Sequence, residues 1–252
     1  MNKEQFYIVG GKHTVIECIK NPSRMVKTIY INNEKYLDVV EKINKKNTKI
    51  EIKSPKAFNK LFKDKEFTHQ GFAALIHPLP TLEFDKFVSN FLSKKTDSIL
   101  IILDGIEDDR NIGSIIRSSS ALGADAILIN KREFRNQSVY LHKAASGSTE
   151  HIPIFPLPNV LHAIQILKKN KFWIYALDGQ GNDSIFNEQF DNKSALIFGS
   201  ENSGTRKIVL NNSDKILFIP MKKEVDSLNV SNAVAASLSI YNSQKQKKSP
   251  QN

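Results

Sequence analysis

Three polar clusters in the second half of this 252-residue chain carry groups that bind, orient or polarise a ligand. The first, Asp104-Gly105-Ile106-Glu107-Asp108-Asp109-Arg110-Asn111-Ile112-Gly113-Ser114, follows an apolar run and leads to Arg117. It offers a carboxamide, Asn111, near a helix start and a guanidinium six residues further on. Arg117 lies in sequence beside the apolar stripe of Ile112, Ile115, Ile116 and Leu122, and an ordinary surface arginine would read the same way from this loop alone. The second cluster is Gly199-Ser200-Glu201-Asn202-Ser203-Gly204-Thr205-Arg206. Glycines between a strand and a helix let backbone come close to a ligand. The spacing of the two glycines matches a phosphate-binding loop, but Thr205-Arg206 stands where that motif has its lysine, and the Glu201 carboxylate repels a triphosphate. The third is Ile219-Pro220-Met221 followed by Asp226-Ser227-Leu228-Asn229-Val230-Ser231-Asn232-Ala233. One Ser or Asn suffices to cap a helix; the surplus points to a polar ligand, with redundant capping as the alternative.

The elements that must position these clusters form an alternating pattern. Ile99–Asp104 is a continuous apolar strand, as expected in a parallel sheet covered on both faces. A helix is expected over Ile112–Leu122, ended by Gly123. Further strands are expected at Ala126–Ile129, Ile152–Phe155, Phe172–Leu177, Ala195–Phe198 and Ile216–Ile219, with helices at Val160–Lys169 and Ser231–Tyr241. Alternation of this kind argues for an α/β fold with a mostly parallel, doubly wound sheet, whose sites lie at the carboxyl ends of its strands.

The first 76 residues read as a separate small α/β unit. Helical spacing covers Lys12–Ile19, Glu34–Asn44 and a segment opened by Ser54-Pro55 that continues through Phe58, Leu61 and Phe62. Strands are expected at Val26–Ile31, Lys49–Ile52 and Phe72–Ile76. His77-Pro78-Leu79-Pro80 interrupts regular structure. An amphipathic helix over Phe84–Leu92 follows, expected to pack between domains. The domains expected are therefore 1–76, a linker 77–97, 98–243, and a disordered basic tail 244–252.

Charge separates the same parts. The net charge is +10, and residues 1–76 hold 15 Lys/Arg against 8 Asp/Glu, whereas residues 77–244 hold 18 of each. A basic first unit beside a neutral second one suggests contact with a polyanion, although solvated lysines alone would look alike. The single cysteine, Cys18, excludes an intramolecular disulfide and a four-cysteine zinc site, and reads as a buried apolar residue. No two of the six histidines lie three or four apart, so no metal is expected. The apolar runs are strand-sized, well short of the ~20 residues of a membrane helix, and the polar N-terminus lacks a secretory or transit pattern. A cytoplasmic protein without membrane contact is expected.

Taken in order, the three clusters resemble the signature motifs of the SpoU (TrmH) family of the SPOUT methyltransferase superfamily. The matching residues are Asn111, Gly113 and Arg117; Gly199, Ser200, Glu201 and Gly204; then Ile219, Pro220, Met221, Ser227–Ser231 and Ala233. Ala145-Ser146-Gly147-Ser148-Thr149-Glu150 is similar to that family's small-residue turn. Gly10–Val15 and His69-Gln70-Gly71 resemble the ends of the L30-like RNA-binding domain attached to many members.

The resemblance implies a SPOUT fold with a C-terminal trefoil knot, a feature that pattern reading excludes by default. It implies S-adenosyl-L-methionine (AdoMet) as methyl donor and transfer to a ribose 2′-hydroxyl of RNA. The layout is closest to members acting on a guanosine of large-subunit (23S-type) ribosomal RNA. A homodimer is implied, with RNA and no DNA as partner. The catalytic set carried over is Arg117, Asn111, Glu201, Ser227 and Asn229. The cofactor set is Gly199, Ser200, Glu201, Gly204, Ile219, Pro220, Leu228 and Asn229. Arginine rarely yields its proton, so Arg117 is expected to clamp the target phosphate and stabilise the developing alkoxide. Ser227 and Asn229 are expected to orient ribose or cofactor, and Glu201 to fix a neighbouring donor. Two departures stand out: Asn202 occupies a position where many relatives carry glycine, and Asp109-Arg110 replaces the more usual Pro-His or Pro-x. Two other functions stay open: a methyltransferase for a transfer-RNA guanosine, and a catalytically silent RNA-binding ribosome-assembly factor, which AdoMet binding would distinguish.

Overall fold

The computed structural model describes residues 6–248 except 65, 81, 202–203 and 226. In chain order the elements are β1 (Tyr7–Gly10), α1 (Lys12–Lys20), β2 (Val26–Ile31), α2 (Leu37–Glu41), β3 (Lys49–Ile52), α3 (Pro55–Asn59) and β4 (Phe72–Ile76). There follow α4 (Phe84–Asn90), β5 (Ser98–Asp104), α5 (Asp109–Ala121), β6 (Ala126–Asn130), α6 (Val139–Ala145), β7 (Ile154–Leu157) and α7 (Val160–Lys169). The last are β8 (Trp173–Leu177), β9 (Asp183–Ser184), β10 (Lys193–Gly199), α8 (Lys207–Leu210), β11 (Lys215–Phe218) and α9 (Val230–Lys248). They form two compact units, residues 1–81 with 135–151, and residues 82–134 with 152–252.

The first unit is a four-stranded sheet in the order β1-β4-β2-β3, in which β4 runs antiparallel to both neighbours and β2 pairs β3 in parallel. Side chains alternate faces along a strand. Tyr7, Val9, Ile29, Ile31, Phe72, Ala74 and Ile76 therefore share one core with Val15, Cys18 and Ile19 of α1 and Val40 of α2. Ile8, Tyr30 and Ala73 face the other way, against Phe58, Phe62 and Phe67 and against Val139 and Tyr140 of α6. Ser54 caps α3 by accepting from the Ala57 amide. Two expected helices are shorter than their apolar spacing suggests. Glu34–Asn44 breaks into a 3-10 turn at Glu34–Tyr36 and the short α2, and α3 stops at Asn59.

A buried polar cluster ties 135–151 to the rest of this unit. Glu150 and Arg24, with side chains 0% and 2% exposed, form an ion pair through Arg24 Nη2 (2.6 Å) and Nε (3.0 Å). Asn21 Nδ2 and Thr149 Oγ1 also donate to Glu150 (2.9 and 3.2 Å), and Arg24 Nη1 donates to the His77 carbonyl. Burial opposes ionisation of Glu150, but the hydrogen bond and charge of Arg24 hold its carboxyl below the usual range. Burial lowers the pKa of His142 to about 4. That ring is neutral near pH 7, its Nε2–H donating to the Asn136 carbonyl at 2.8 Å. Cys18 is buried in the same cluster, and its burial pushes the thiol pKa up.

The second unit is a seven-stranded, all-parallel sheet in the order β7-β6-β5-β10-β8-β11-β9. Leu100, Ile102, Leu128, Ile174, Ala176, Ala195 and Ile197 face α7, α8 and α4. Ile101, Leu103, Leu196 and Phe198 are equally buried and of the opposite parity, so they face the other layer, where α5 and α9 pack on each other. The stripe over Phe84–Leu92, expected to pack between domains, is part of the second unit's own core. Phe84, Phe87, Val88 and Leu92 are buried in this unit's core against Phe155, because an aromatic-rich stripe gains most where it is fully covered. The basic tail does not begin at Gln244. α9 continues to Lys248, since Gln and Lys are good helix formers and Lys245 reaches Asp97 and Asn192.

Candidate active site

The site lies in the second unit, at the carboxyl ends of the central strands, where ligands bind in open α/β sheets. Asp108 caps α5, its carboxylate accepting from the amides of Arg110 and Asn111 at 2.9 and 2.8 Å. The helix therefore starts three residues before the expected Ile112. Asp109-Arg110, the departure from the usual pair, forms its first turn beside Asn111.

Asn111, Glu201 and Asn229, which lie far apart in sequence, meet there. Glu201 Oε1 accepts from Asn111 Nδ2 (3.2 Å), Asn229 Nδ2 (2.9 Å) and the Val230 amide (3.1 Å). Asn229 Nδ2 also donates to Asn111 Oδ1 at 2.9 Å, and Asn229 Oδ1 accepts from the amide and hydroxyl of Ser231. One carboxylate thus holds two carboxamides and the first amide of α9, where a negative charge complements the helix dipole. Arg117 stands apart from this group. It is exposed on α5, and its side chain makes no hydrogen bond or ion pair within the described residues. Asn202 and Asp226 lie outside those residues.

Beside the cluster is a cleft lined by Leu177, Phe198, Ile219, Met221, Leu228, Val230 and Ala233, with Asp178, Gly179, Gly199, Ser200, Glu201, Gly204 and Ser227. Six of the residues expected at the cofactor line it: Gly199, Ser200, Glu201, Gly204, Ile219 and Leu228. Pro220 and Asn229 belong to the same loop but are not among the lining residues. Asp178 and Gly179 were not anticipated. The signal for them was a Leu-Asp-Gly turn directly after a buried strand. Asp178 Oδ2 accepts from the Thr205 amide at 3.2 Å, and its Oδ1 from the Gln180 amide at 3.0 Å.

The glycine loop closes on itself. Gly204 has φ +63° and donates to the Ser200 carbonyl at 2.9 Å. A Cβ on Gly199 would lie 2.2 Å from the backbone of Gly204 and Thr205, so only glycine fits. Nearby, Glu133 Oε2 accepts from the Gly105 amide, and burial pushes this carboxyl's pKa up.

Apolar walls with two carboxylates and two serines suit AdoMet, whose adenosyl group is apolar-faced and whose methionine part carries a sulfonium and an ammonium. The Cβ position of Gly179 has nothing within 4 Å and leaves room for that group. Among the described residues no three His, Cys, Asp or Glu side chains are grouped to hold a metal.

The SpoU rRNA Methylase family matches residues 98–239, and the RNA 2′-O ribose methyltransferase substrate-binding family matches residues 8–82. The chain is 32% identical over 247 residues to the 23S rRNA (guanosine-2′-O-)-methyltransferase RlmB of Blochmanniella floridana, covering 96% of this chain and 95% of that one. It is 35% identical over 236 residues to a Staphylococcus aureus (strain MSSA476) protein whose name places it in the TrmH family of tRNA/rRNA methyltransferases, covering 93% and 94%. The fold is similar to that of the SpoU methyltransferase AviRb from Streptomyces viridochromogenes solved with AdoMet. The TM-score is 0.81 and the identity 20%, over 98% of this chain and 92% of that one.

Proposed function

The chain belongs to the SpoU methylase family, the AdoMet-dependent RNA 2′-O-methyltransferases, and from that premise we propose that it methylates the 2′-hydroxyl of a guanosine in large-subunit ribosomal RNA. The observation that supports the chemistry is the meeting of Asn111, Glu201 and Asn229 beside the glycine-loop cleft. The similarity to RlmB over nearly the whole chain supports the substrate.

AdoMet, when bound, supplies an electrophilic methyl group. The residues that would hold it are those of the cleft: Gly199, Ser200 and Gly204 through backbone, Ile219 and Leu228 through apolar contact, and Pro220 by shaping the loop. Glu201 anchors the amides of Asn111 and Asn229. Asn111 and Asn229, held this way, and Ser227 of the cleft orient the ribose, and orientation supplies much of the rate in group transfer. Arg117, exposed and without a protein partner among the described residues, binds the target phosphate and stabilises the negative charge that develops on the 2′-oxygen as its proton passes to solvent water. The basic first unit, with its lysine excess, holds the RNA. The protein acts in the cytoplasm as a homodimer, with its C-terminal helix threading under a loop to form the trefoil knot. Among the described residues no helix is long and apolar enough to cross a membrane.

The test is incubation with methyl-labelled AdoMet and either unmodified large-subunit ribosomal RNA or transfer RNA. Label in ribosomal RNA that disappears with Arg117→Ala is the expected result. Label in transfer RNA alone overturns the substrate. AdoMet binding that is absent altogether leaves only the silent RNA-binding factor.

A further inference from the structure

Asp104 is fully buried at the carboxyl end of β5, directly across from Gly199 in the β5–β10 register, yet it does not line the cleft. Both its oxygens are spent on one residue. Oδ2 accepts from the Arg206 amide at 3.1 Å. Oδ1 and Oδ2 accept from Arg206 Nε at 2.9 and 3.1 Å, and Arg206 Nη2 closes the fork on Oδ1. Arg206 in turn starts α8, its carbonyl accepting from the amides of Val209 and Leu210. The glycine loop is thereby pinned at its departing end. Gly199 holds the near end by packing on Gly204 and Thr205, and Asp178 takes the Thr205 amide.

An arginine 53% exposed beside a candidate RNA-modifying site invites a different assignment, a phosphate contact. The geometry argues against it. A guanidinium forked on a buried carboxylate has its charge matched, and to leave would strand Asp104 without its counter-ion.

We propose that Asp104 and Arg206 are positioning residues for the cofactor: they fix the far end of the 199–206 loop, and so the wall formed by Gly199, Ser200, Glu201 and Gly204, without touching either substrate. This rests on the reading that AdoMet occupies the cleft. The pair sets affinity for AdoMet and leaves affinity for RNA alone, because the loop it holds carries the cofactor wall.

The test measures AdoMet binding by calorimetry, RNA binding by filter retention, and thermal unfolding. The proteins are the full chain, Arg206→Ala, Asp104→Asn, their double variant, and Leu228→Asp as a cleft control. The inference predicts an AdoMet Kd at least tenfold weaker for each single variant and an RNA Kd within twofold. The double variant is predicted to be no worse than the weaker single, as for residues that act as one unit. Because Asp104 is buried and its variant can fail to fold, Arg206→Ala alone decides if Asp104→Asn unfolds. An RNA Kd raised by Arg206→Ala with AdoMet binding intact overturns the inference in favour of a phosphate contact. A lowered melting temperature with both affinities intact overturns it in favour of a purely structural pair. A full chain that binds AdoMet, lost in Leu228→Asp but kept in Arg206→Ala, overturns this inference and leaves the proposed function standing. A full chain that binds no AdoMet overturns both.

Discussion

Replacing Arg24 by leucine leaves the Glu150 carboxylate inside the first unit with neutral donors only. Two strong hydrogen bonds from the guanidinium are lost. Those from Asn21 and Thr149, at 2.9 and 3.2 Å, remain, and the His77 carbonyl loses its donor. Removing one member of a buried ion pair costs about 3–5 kcal/mol, because the other charge stays desolvated. The penalty has a ceiling, since Glu150 can take up a proton. In the variant its folded pKa rises above the unfolded value, so the destabilisation is present above that raised pKa and is relieved as pH falls through it. Each unit of that rise corresponds to about 1.4 kcal/mol. Hydrogen exchange of the α1 and α6 amides at pH 7.5 and 5.5 reads this locally, which matters because the only tryptophan, Trp173, lies in the other unit. The Arg24→Leu/Glu150→Leu double variant should be less destabilised than Arg24→Leu alone. A deficit below about 1 kcal/mol, the range of an exposed pair, would refute the reasoning. So would a deficit that grows as pH falls.

Other outcomes follow from the same structure. His142, lowered to about 4 by burial, contributes stability that is complete above its unfolded pKa and is lost as pH falls from about 6.5 to 4; the full span is about 3 kcal/mol. His142→Gln should flatten that limb in urea titrations across this range, and an unchanged slope would show that the histidine is not responsible. Gly199→Ala forces a Cβ to within 2.2 Å of the Gly204–Thr205 backbone. Calorimetry should show AdoMet binding at least tenfold weaker, and normal affinity would mean the loop yields freely. Glu201→Ala removes the acceptor that both carboxamides share, and kcat/KM should fall by at least ~10²-fold, or about 2.7 kcal/mol, with RNA affinity retained. Arg117→Lys keeps a charge but loses the fork; substantial activity would exclude any special guanidine chemistry, whereas near-normal RNA binding with activity lost at every pH would count against a simple phosphate clamp.

The sheet of the second unit was legible because strands buried on both faces are continuous apolar runs. Ser98–Asp104 and Lys193–Gly199 were each located to within two residues. The three polar clusters were legible as strand-end loops, and their motif order carried the family resemblance. Their mutual geometry was not. Nothing local in Asn111 or Asn229 says that one carboxylate oxygen, on Glu201, will hold both. Arg117 could be singled out, but nothing in the sequence says that its side chain makes no bond to that cluster although it shares helix α5 with Asn111.

Helix α6 was missed altogether. Its cap, Ser138, and the apolar residues 139–141 are a faint signal within a polar stretch. The partners that stabilise it, such as Phe67 and Thr14, lie some 70 to 130 residues away in sequence. Similarly, Glu150 looked like part of a small-residue turn, and only the fold reveals Arg24 beside it. The Phe84–Leu92 stripe announced burial correctly but not against what, since spacing identifies a buried face and not its partner.

The central claim, methyl transfer to a ribose oxygen of one guanosine, is tested most directly on the product itself. Large-subunit ribosomal RNA lacking the modification would be treated with the protein and AdoMet, digested to nucleosides and fragments, and analysed by mass spectrometry with the methyl group mapped to a position. The account predicts 2′-O-methylguanosine at a single site, absent when Glu201→Ala or Arg117→Ala is used. A methyl group on a base, or on many riboses without preference, would contradict it.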